Sequence, residues 1–141
     1  MHQWLVSHFS AENISLIPLT GDAGFRRYFR IQYQGQHYIA VDAPVNLSNN
    51  LAFVNVQKAL RQVGIKVPEI IAVDLKQGFL CLSDFGDCLL AEKLCQENMH
   101  QYYRYAIAEL NKVLACKKTI VASLPLYDEG FIYTELAIFN D

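Results

Sequence analysis

A glycine-bearing loop followed by arginines is the stretch best suited to bind a charged ligand. Residues 21–30 read GDAGFRRYFR, with two glycines three positions apart and three arginines within five residues. Glycines let the backbone approach a ligand closely, and the N–H groups of such a turn can surround phosphate oxygens. Arginines add paired donors for phosphate. The pattern indicates a phosphate-binding hairpin, although a simple turn with solvated arginines is the alternative for an isolated Gly-x-x-Gly.

The second candidate stretch is SDFGD, residues 83–87. Its centre is the tripeptide Asp-Phe-Gly, whose Asp binds magnesium in protein kinases, where it lies after a catalytic loop of the form H-R-D. None of the four histidines is followed two residues later by Asp, and the tripeptide directly follows a predicted strand. We therefore expect Asp84 not to bind metal and the segment to link two lobes. A strand-to-helix turn with Asp87 as the N-cap is the alternative, and both can hold together.

Hydrophobic patterning predicts the elements that would position these stretches. Strands are predicted at residues 14–19, 28–33, 37–41, 69–74 and 79–83, an amphipathic segment at 2–9, and helices at 51–64, 89–94, 99–116 and 131–139. This order of three strands, one helix, two strands and then helices predicts an α+β fold with a mainly antiparallel five-stranded sheet and one crossover helix. A parallel doubly wound fold would need strands and helices to alternate throughout.

The composition excludes several classes of protein. The chain has 141 residues, enough for one domain, and a formal net charge of −2, which argues against binding nucleic acid through bulk charge. Its four cysteines show no CxxC spacing, which argues against zinc. No secretory signal and no apolar run of about 20 residues is visible. We expect a cytoplasmic protein with reduced cysteines and no membrane or nucleic-acid partner.

Several motifs in the same order resemble those of one enzyme family. The loop GDAGFRRYFR is similar to the G-D-A-S-x-R-R-Y-x-R signature of anomeric sugar kinases acting on N-acetylmuramate and N-acetylglucosamine, within the aminoglycoside phosphotransferase-like superfamily. VDAPVN, residues 41–46, resembles that family's M-D-A-P-P. Residues 63–87 are similar to a segment ending in L-E-D-L-G-D, and residues 124–139 resemble the segment before the catalytic lobe. The resemblance covers nearly the whole chain.

The resemblance implies a kinase-like small lobe at residues 1–83, a hinge at 84–87 and the helical start of a truncated large lobe at 88–141. It implies the nucleotide-binding portion of an amino-sugar kinase in cell-wall sugar recycling, which transfers the γ-phosphate of ATP with Mg²⁺ to a hydroxyl of a small acceptor. Catalytic and metal-binding residues would lie beyond residue 141, so this chain alone should be inactive. The predicted nucleotide-binding residues are Gly21, Asp22, Ala23, Gly24, Phe25, Arg26, Arg30, Ala40, Asp42, Leu82, Ser83 and Asp84.

The lysine–glutamate pair of protein kinases cannot be built here. No Lys lies between residues 31 and 57 and no Glu between 13 and 68, while Asp42 stands where the third-strand Lys would fall. We hypothesise that Arg26 or Arg30 supplies the phosphate-facing charge. The alternative is that these arginines pair with carboxylates at the surface. Adenine would pair with backbone groups near residues 82–84, where Ser83 replaces the family's usual Glu.

Some expectations stay open at the level of sequence. The chain could be a truncated piece, a proteolytic remnant or a split gene product, and the acceptor could be N-acetylmuramate, N-acetylglucosamine, an aminoglycoside or another hydroxyl compound. The alternative function is a non-catalytic kinase-like module that binds a partner chain. Phe131, Leu136 and Phe139 would be poorly covered, which predicts exposed apolar surface and a possible dimer through the C-terminal helices.

Overall fold

The fold follows the predicted order of elements. The structure, a computed structural model, describes residues 1–20, 24–116, 124 and 128–137. Its elements are α1 His2–Phe9, β1 Ile17–Pro18, β2 Arg27–Tyr33, β3 Gln36–Asp42, α2 Asn50–Gln62, β4 Ile70–Asp74, β5 Phe79–Ser83, α3 Leu90–Lys93, α4 Met99–Leu114 and α5 Glu129–Ala137. The first strand is shorter than predicted, because Pro18 lacks an N–H for the ladder and Ile14 is buried in the core instead.

The five strands form one sheet in the order β1-β2-β3-β5-β4, and all neighbouring pairs are antiparallel. Because β5 lies between β3 and β4, the connection through α2 is a crossover. The β2–β3 hairpin turns at Gln34 and Gly35, which both have positive φ, as a tight hairpin turn requires. The α+β class, the antiparallel sheet and the crossover helix are thus confirmed. The arrangement is consistent with a kinase-like small lobe.

The two faces of the sheet carry two separate core clusters, because successive side chains of a strand point to opposite faces. Helix α1 covers one face, where Leu5, Ile31, Ala40 and Cys81 are buried together. Burial raises the pKa of the Cys81 thiol to about 12, so this cysteine stays protonated as part of the core. On the opposite face Val41, Ala43 and Leu80 pack against Val54 of α2. The face on the α2 side also carries the candidate site.

Helix α2 is fixed at its ends and along its buried side. At its start the side chain of Asn49 accepts a hydrogen bond from the Ala52 N–H at 3.0 Å, so Asn49 is the N-cap. At its end, the N–H groups of residues 64 and 65 bond back to carbonyls of the last turn. The two buried polar residues, Asn50 and Gln57, donate to the Ala43 and Pro68 carbonyls at 2.8 and 2.9 Å. These bonds hold the helix against the strand ends.

The C-terminal helices differ from the sheet in burial. No described residue of α4 or α5 is buried. Phe131 and Leu136 are 42% and 55% exposed, as the sequence predicted, while Phe139 lies outside the described residues. Within the described ranges, no helix is long and apolar enough to cross a membrane.

Candidate functional site

A cleft of about 440 Å³ opens on the α2 side of the sheet, beside the end of β5. We call it the β5 cleft. Its volume lies in the range typical of small-molecule sites. Apolar side chains from three strands form its floor, and the segment after β5 forms one wall. It is lined by Leu19, Thr20, Tyr28, Arg30, Ile39, Pro68, Leu82, Ser83, Asp84, Phe85, Gly86 and Asp87.

A smaller cavity of about 320 Å³ adjoins the β5 cleft at Tyr28, which lines both. We call it the loop cavity, and it is lined by Gly24, Phe25, Arg26, Tyr28, Leu47, Ser48 and Asn49. The structure therefore brings Gly24, Phe25 and Arg26 of the predicted loop to one place. The other predicted loop residues, Gly21, Asp22 and Ala23, lie outside the described residues.

Arg30 lies in the β5 cleft and is bound by two carboxylates. Its Nε donates to Asp84 Oδ2 at 2.6 Å, and its two terminal nitrogens each donate to the Asp87 carboxylate at 2.7 Å. Its side chain is 19% exposed. The hydrogen bonds that Arg30 donates to Asp87 and Asp84 raise the pKa of Arg30 above its ordinary value. The guanidinium is thus paired with two carboxylates, as in the alternative interpretation of the arginines.

The carboxylate of Asp84 is engaged by protein partners. Its side chain is 6% exposed and also accepts the Gly86 N–H at 2.7 Å, in a turn that the positive φ of Gly86 permits. Burial raises the pKa of Asp84, but the hydrogen bonds from Arg30 and Gly86 outweigh it and hold the pKa below its ordinary value. Within the described residues, no group of three or more His, Cys, Asp or Glu is placed to hold a metal ion.

Asp87 does not cap the next helix. The N-cap of α3 is Leu89, and no side chain caps it. The carboxylate of Asp87 binds Arg30 instead, and this hydrogen bond lowers the pKa of Asp87. The alternative in which Asp87 is the N-cap is therefore wrong, because a charged partner on β2 binds the same carboxylate.

The backbone at the end of β5 is only partly free. The Ser83 N–H donates to the Glu69 carbonyl, and the Ser83 hydroxyl accepts the Glu69 N–H, both at 2.9 Å. Ser83 therefore ties β5 to the segment before β4, and Leu82 is buried in the core. In the described part of the chain, the backbone groups of Asp84 and Phe85 bond to no other backbone group. Of the three residues predicted here, Asp84 thus keeps its backbone groups outside the sheet, and Phe85 beside it does the same.

Two predicted residues on β3 lie on the other face of the sheet. Ala40 is buried beside Leu5 under α1, and Asp42 forms an ion pair with Arg27. Neither lines the β5 cleft or the loop cavity. Ile39 lines the cleft instead, because neighbouring residues of a strand point to opposite faces of the sheet.

Five residues that line the β5 cleft were not among the predicted site residues. These are Leu19, Thr20, Tyr28, Ile39 and Pro68. The alternation within β2 could have indicated Tyr28, since it shares a face with Arg26 and Arg30.

Arg26 is the arginine at the loop end, and its partner is an aromatic ring. Its guanidinium carbon lies 5.2 Å from the centroid of the Phe53 ring on α2. No carboxylate in the described ranges forms an ion pair with it, whereas Arg27 pairs with Asp42 and Arg30 with Asp84 and Asp87. The loop cavity therefore has a cation at its wall, whereas the β5 cleft is largely apolar and the charge of its arginine is paired with carboxylates. This arrangement suits a ligand with an aromatic base and an anionic tail.

Together, the antiparallel sheet, the crossover helix and the cleft beside β5 are consistent with the nucleotide-binding lobe of a kinase. Comparison with known proteins found similarity to three proteins named N-acetylmuramate/N-acetylglucosamine kinase. The chain is 39% identical to that of Pseudomonas aeruginosa over 127 residues, covering 89% of this chain and 37% of the relative. It is 34% identical to that of Pseudomonas putida, with 90% and 37% covered.

The third relative, from Neisseria meningitidis serogroup B, is 28% identical over 146 residues, covering 100% of this chain and 42% of the relative. The chain thus spans between 37% and 42% of the length of these relatives. No protein-family model matches the chain, and no solved structure matches it. The similarity supports a relationship to sugar kinases.

Proposed function

We propose that this chain is the ATP-binding part of a small-molecule kinase whose acceptor is an amino sugar. The observation that carries the proposal is the pair of adjoining cavities, with an arginine bound by two carboxylates at one end and, at the other, an arginine that no carboxylate of the described residues pairs with. The similarity to proteins named amino-sugar kinases supports the same assignment.

In this proposal the adenine lies in the β5 cleft, between Leu19 and Ile39. Its edge pairs with the backbone of Asp84 and Phe85, so that residues 84–87 act as the hinge. The phosphates extend past Tyr28 into the loop cavity, where Gly24 and Arg26 meet them. Catalysis of phosphoryl transfer depends on such positioning and on neutralising the developing charge.

Magnesium would accompany ATP in this reaction and neutralise charge on its phosphates. The described residues offer no cluster for it, and Asp84 is engaged by Arg30 and Gly86. We propose that the metal ligands and the sugar contacts belong to a part of the enzyme outside these residues. The role of this chain is then to bind and orient the nucleotide.

The test is nucleotide binding by the intact protein, followed by NMR or calorimetry. We expect ATP to bind and to shift the resonances of residues 24–26 and 84–86, whereas N-acetylglucosamine alone should leave these resonances unchanged. A protein that shows no binding at millimolar ATP would contradict the proposal. Transfer of phosphate to N-acetylmuramate or N-acetylglucosamine, measured in the same preparation, then tests the acceptor.

A non-catalytic module that binds a partner chain is the second candidate. The exposed apolar residues of α4 and α5 favour it. The same titration separates the two candidates, because a module that only binds a partner chain should show no shifts at the β5 cleft with ATP.

A further inference from the structure

The contact between Arg26 and Phe53 joins the loop cavity to helix α2. The distance of 5.2 Å from the guanidinium carbon to the ring centroid lies within the roughly 6 Å over which a cation is attracted to an aromatic face. Both side chains are half-buried, so the contact is partly shielded from water. We infer that Phe53 positions Arg26 toward the anionic end of the bound nucleotide. This inference rests on the proposed ATP-binding function.

An aromatic ring differs from a carboxylate in what it leaves available on the arginine. A carboxylate takes up guanidinium donors and cancels the charge, as Asp84 and Asp87 do for Arg30. A ring face orients the guanidinium but carries no net charge, so the positive charge persists. Contact with the ring face also leaves the N–H donors at the edge of the guanidinium able to bind phosphate oxygens, and no side chain of the described residues accepts from them. Arg26 is therefore held in place without losing its capacity to bind an anion.

Helix α2 has no acidic residue that could replace this ring. Its sequence from Asn50 to Gln62 is NLAFVNVQKALRQ, which contains neither Asp nor Glu. Phe53 packs against the core cluster formed by Val41, Ala43 and Val54, so the sheet fixes the ring as well as the helix does. The ring thus links α2 to Arg26 at the end of the site where the phosphates are proposed to bind. No acidic side chain of this helix can make that link, because the helix has none.

The prediction concerns phosphate-bearing ligands alone. Replacing Phe53 by Leu keeps an apolar side chain in the core cluster but removes the ring face. We expect F53L to weaken ATP binding by about three- to tenfold, because Arg26 then loses its preferred position. Binding of adenosine, which has no phosphate, should change by less than about twofold. F53Y keeps the ring and should retain the affinity for ATP.

The matched control is F9L, which removes a half-buried ring from α1 on the opposite face of the sheet. It should leave the ratio of ATP to adenosine affinity unchanged, even if it lowers the melting temperature. Calorimetry on the intact protein measures both dissociation constants for each variant. In an R26M background, F53L should have no further effect on ATP binding, because the cation that the ring positions is gone.

The possible outcomes separate the inference from the function on which it rests. If the wild-type protein binds neither ATP nor adenosine, the proposed function fails and the inference fails with it. If the wild-type protein binds both, but F53L weakens both equally or neither, Phe53 only packs the core and the inference alone is overturned. Should F53L prove unfolded, loss of ATP affinity in F53Y, whose ring is intact, would contradict the inference in the same way.

Discussion

Arg26 and Arg30 lie on the same face of one hairpin, four residues apart, yet their surroundings differ completely. Arg30 is enclosed by Asp84 and Asp87, with three hydrogen bonds of 2.6 to 2.7 Å. Arg26 faces the ring of Phe53, and no carboxylate of the described residues pairs with it. The same type of side chain therefore joins two segments through ion pairs at the β5 cleft and contacts an aromatic ring at the loop cavity.

The difference shows that the partner decides the role of an arginine. Removing one member of a poorly solvated charge pair leaves the other charge uncompensated, so Arg30 and Asp84 depend on each other for stability. A cation over a ring depends less on its partner and keeps its charge for a ligand. Mutations at the β5 cleft should accordingly lower the stability of the protein, whereas mutations at the loop cavity should lower its affinity for the ligand.

The largest effect is expected for R30M. The variant leaves Asp84, which is 6% exposed, and Asp87 side by side without their shared cation. We expect the melting temperature to fall by roughly 5–10 °C, measured by calorimetry at neutral pH. The matched control is R61M, which removes the exposed ion pair with Glu69 and should change the melting temperature by no more than about 3 °C. Equal losses of melting temperature in the two variants would show that the ion pairs of Arg30 stabilise the protein no more than an exposed ion pair does.

The next largest effect is expected for R26M, and it concerns binding rather than stability. A charge-assisted hydrogen bond to phosphate contributes about 1.5–3 kcal/mol, so ATP affinity should fall at least about tenfold. The control is R27M, which removes the same charge one residue away, on the face where Arg27 pairs with Asp42. Titration calorimetry should find ATP affinity within about threefold of wild type for R27M. A loss in R27M as large as that in R26M would mean that bulk charge attracts the nucleotide.

The third prediction concerns acid stability. The pKa values of Asp84 and Asp87 are lowered in the folded protein, so the unfolded chain binds protons at higher pH than the folded chain does. The stability from these carboxylates is therefore fully present above the ordinary carboxyl pKa of about 3.9 and is lost as pH falls below it. Melting temperatures measured between pH 5 and pH 3 should fall less steeply for R30M than for the wild-type protein.

Asp74 provides the control for that measurement. Hydrogen bonds from the backbone and side chain of Gln77 lower its pKa without any contact with Arg30. D74N should make the melting temperature fall less steeply between pH 5 and pH 3, and by the same amount in the wild-type and the R30M background. If R30M and wild type show the same slope from pH 5 to pH 3, Arg30 does not set the pKa values of the two carboxylates.

The smallest effect is expected for F85L. If the β5 end binds adenine through backbone groups, the exposed Phe85 side chain contributes little, and its contact with Lys66 at 5.9 Å is at the limit of a cation–ring interaction. We expect the affinity for adenosine to change by less than about threefold, measured by the same calorimetry. A tenfold loss would instead indicate that the base stacks on this ring.

Local patterns in the sequence predicted most of the fold. The order of strands and helices depends on residues close together in the chain, and it was found as predicted. The position of SDFGD after β5 also follows from local order. Motif resemblance then indicated the loop and the β5 end as the two parts of one site.

Only the tertiary structure decided which side chains meet. Arg30 binds carboxylates 54 and 57 residues away, and no local pattern reveals such a pairing. That pairing binds the Asp87 carboxylate, which the alternative interpretation had assigned to the helix N-cap. The sheet register placed Ile39, rather than Ala40, in the β5 cleft, because a shift of one residue reverses the face of every side chain on a strand. The sequence thus determined the elements and the residue types of the site, and packing between distant segments assigned their roles.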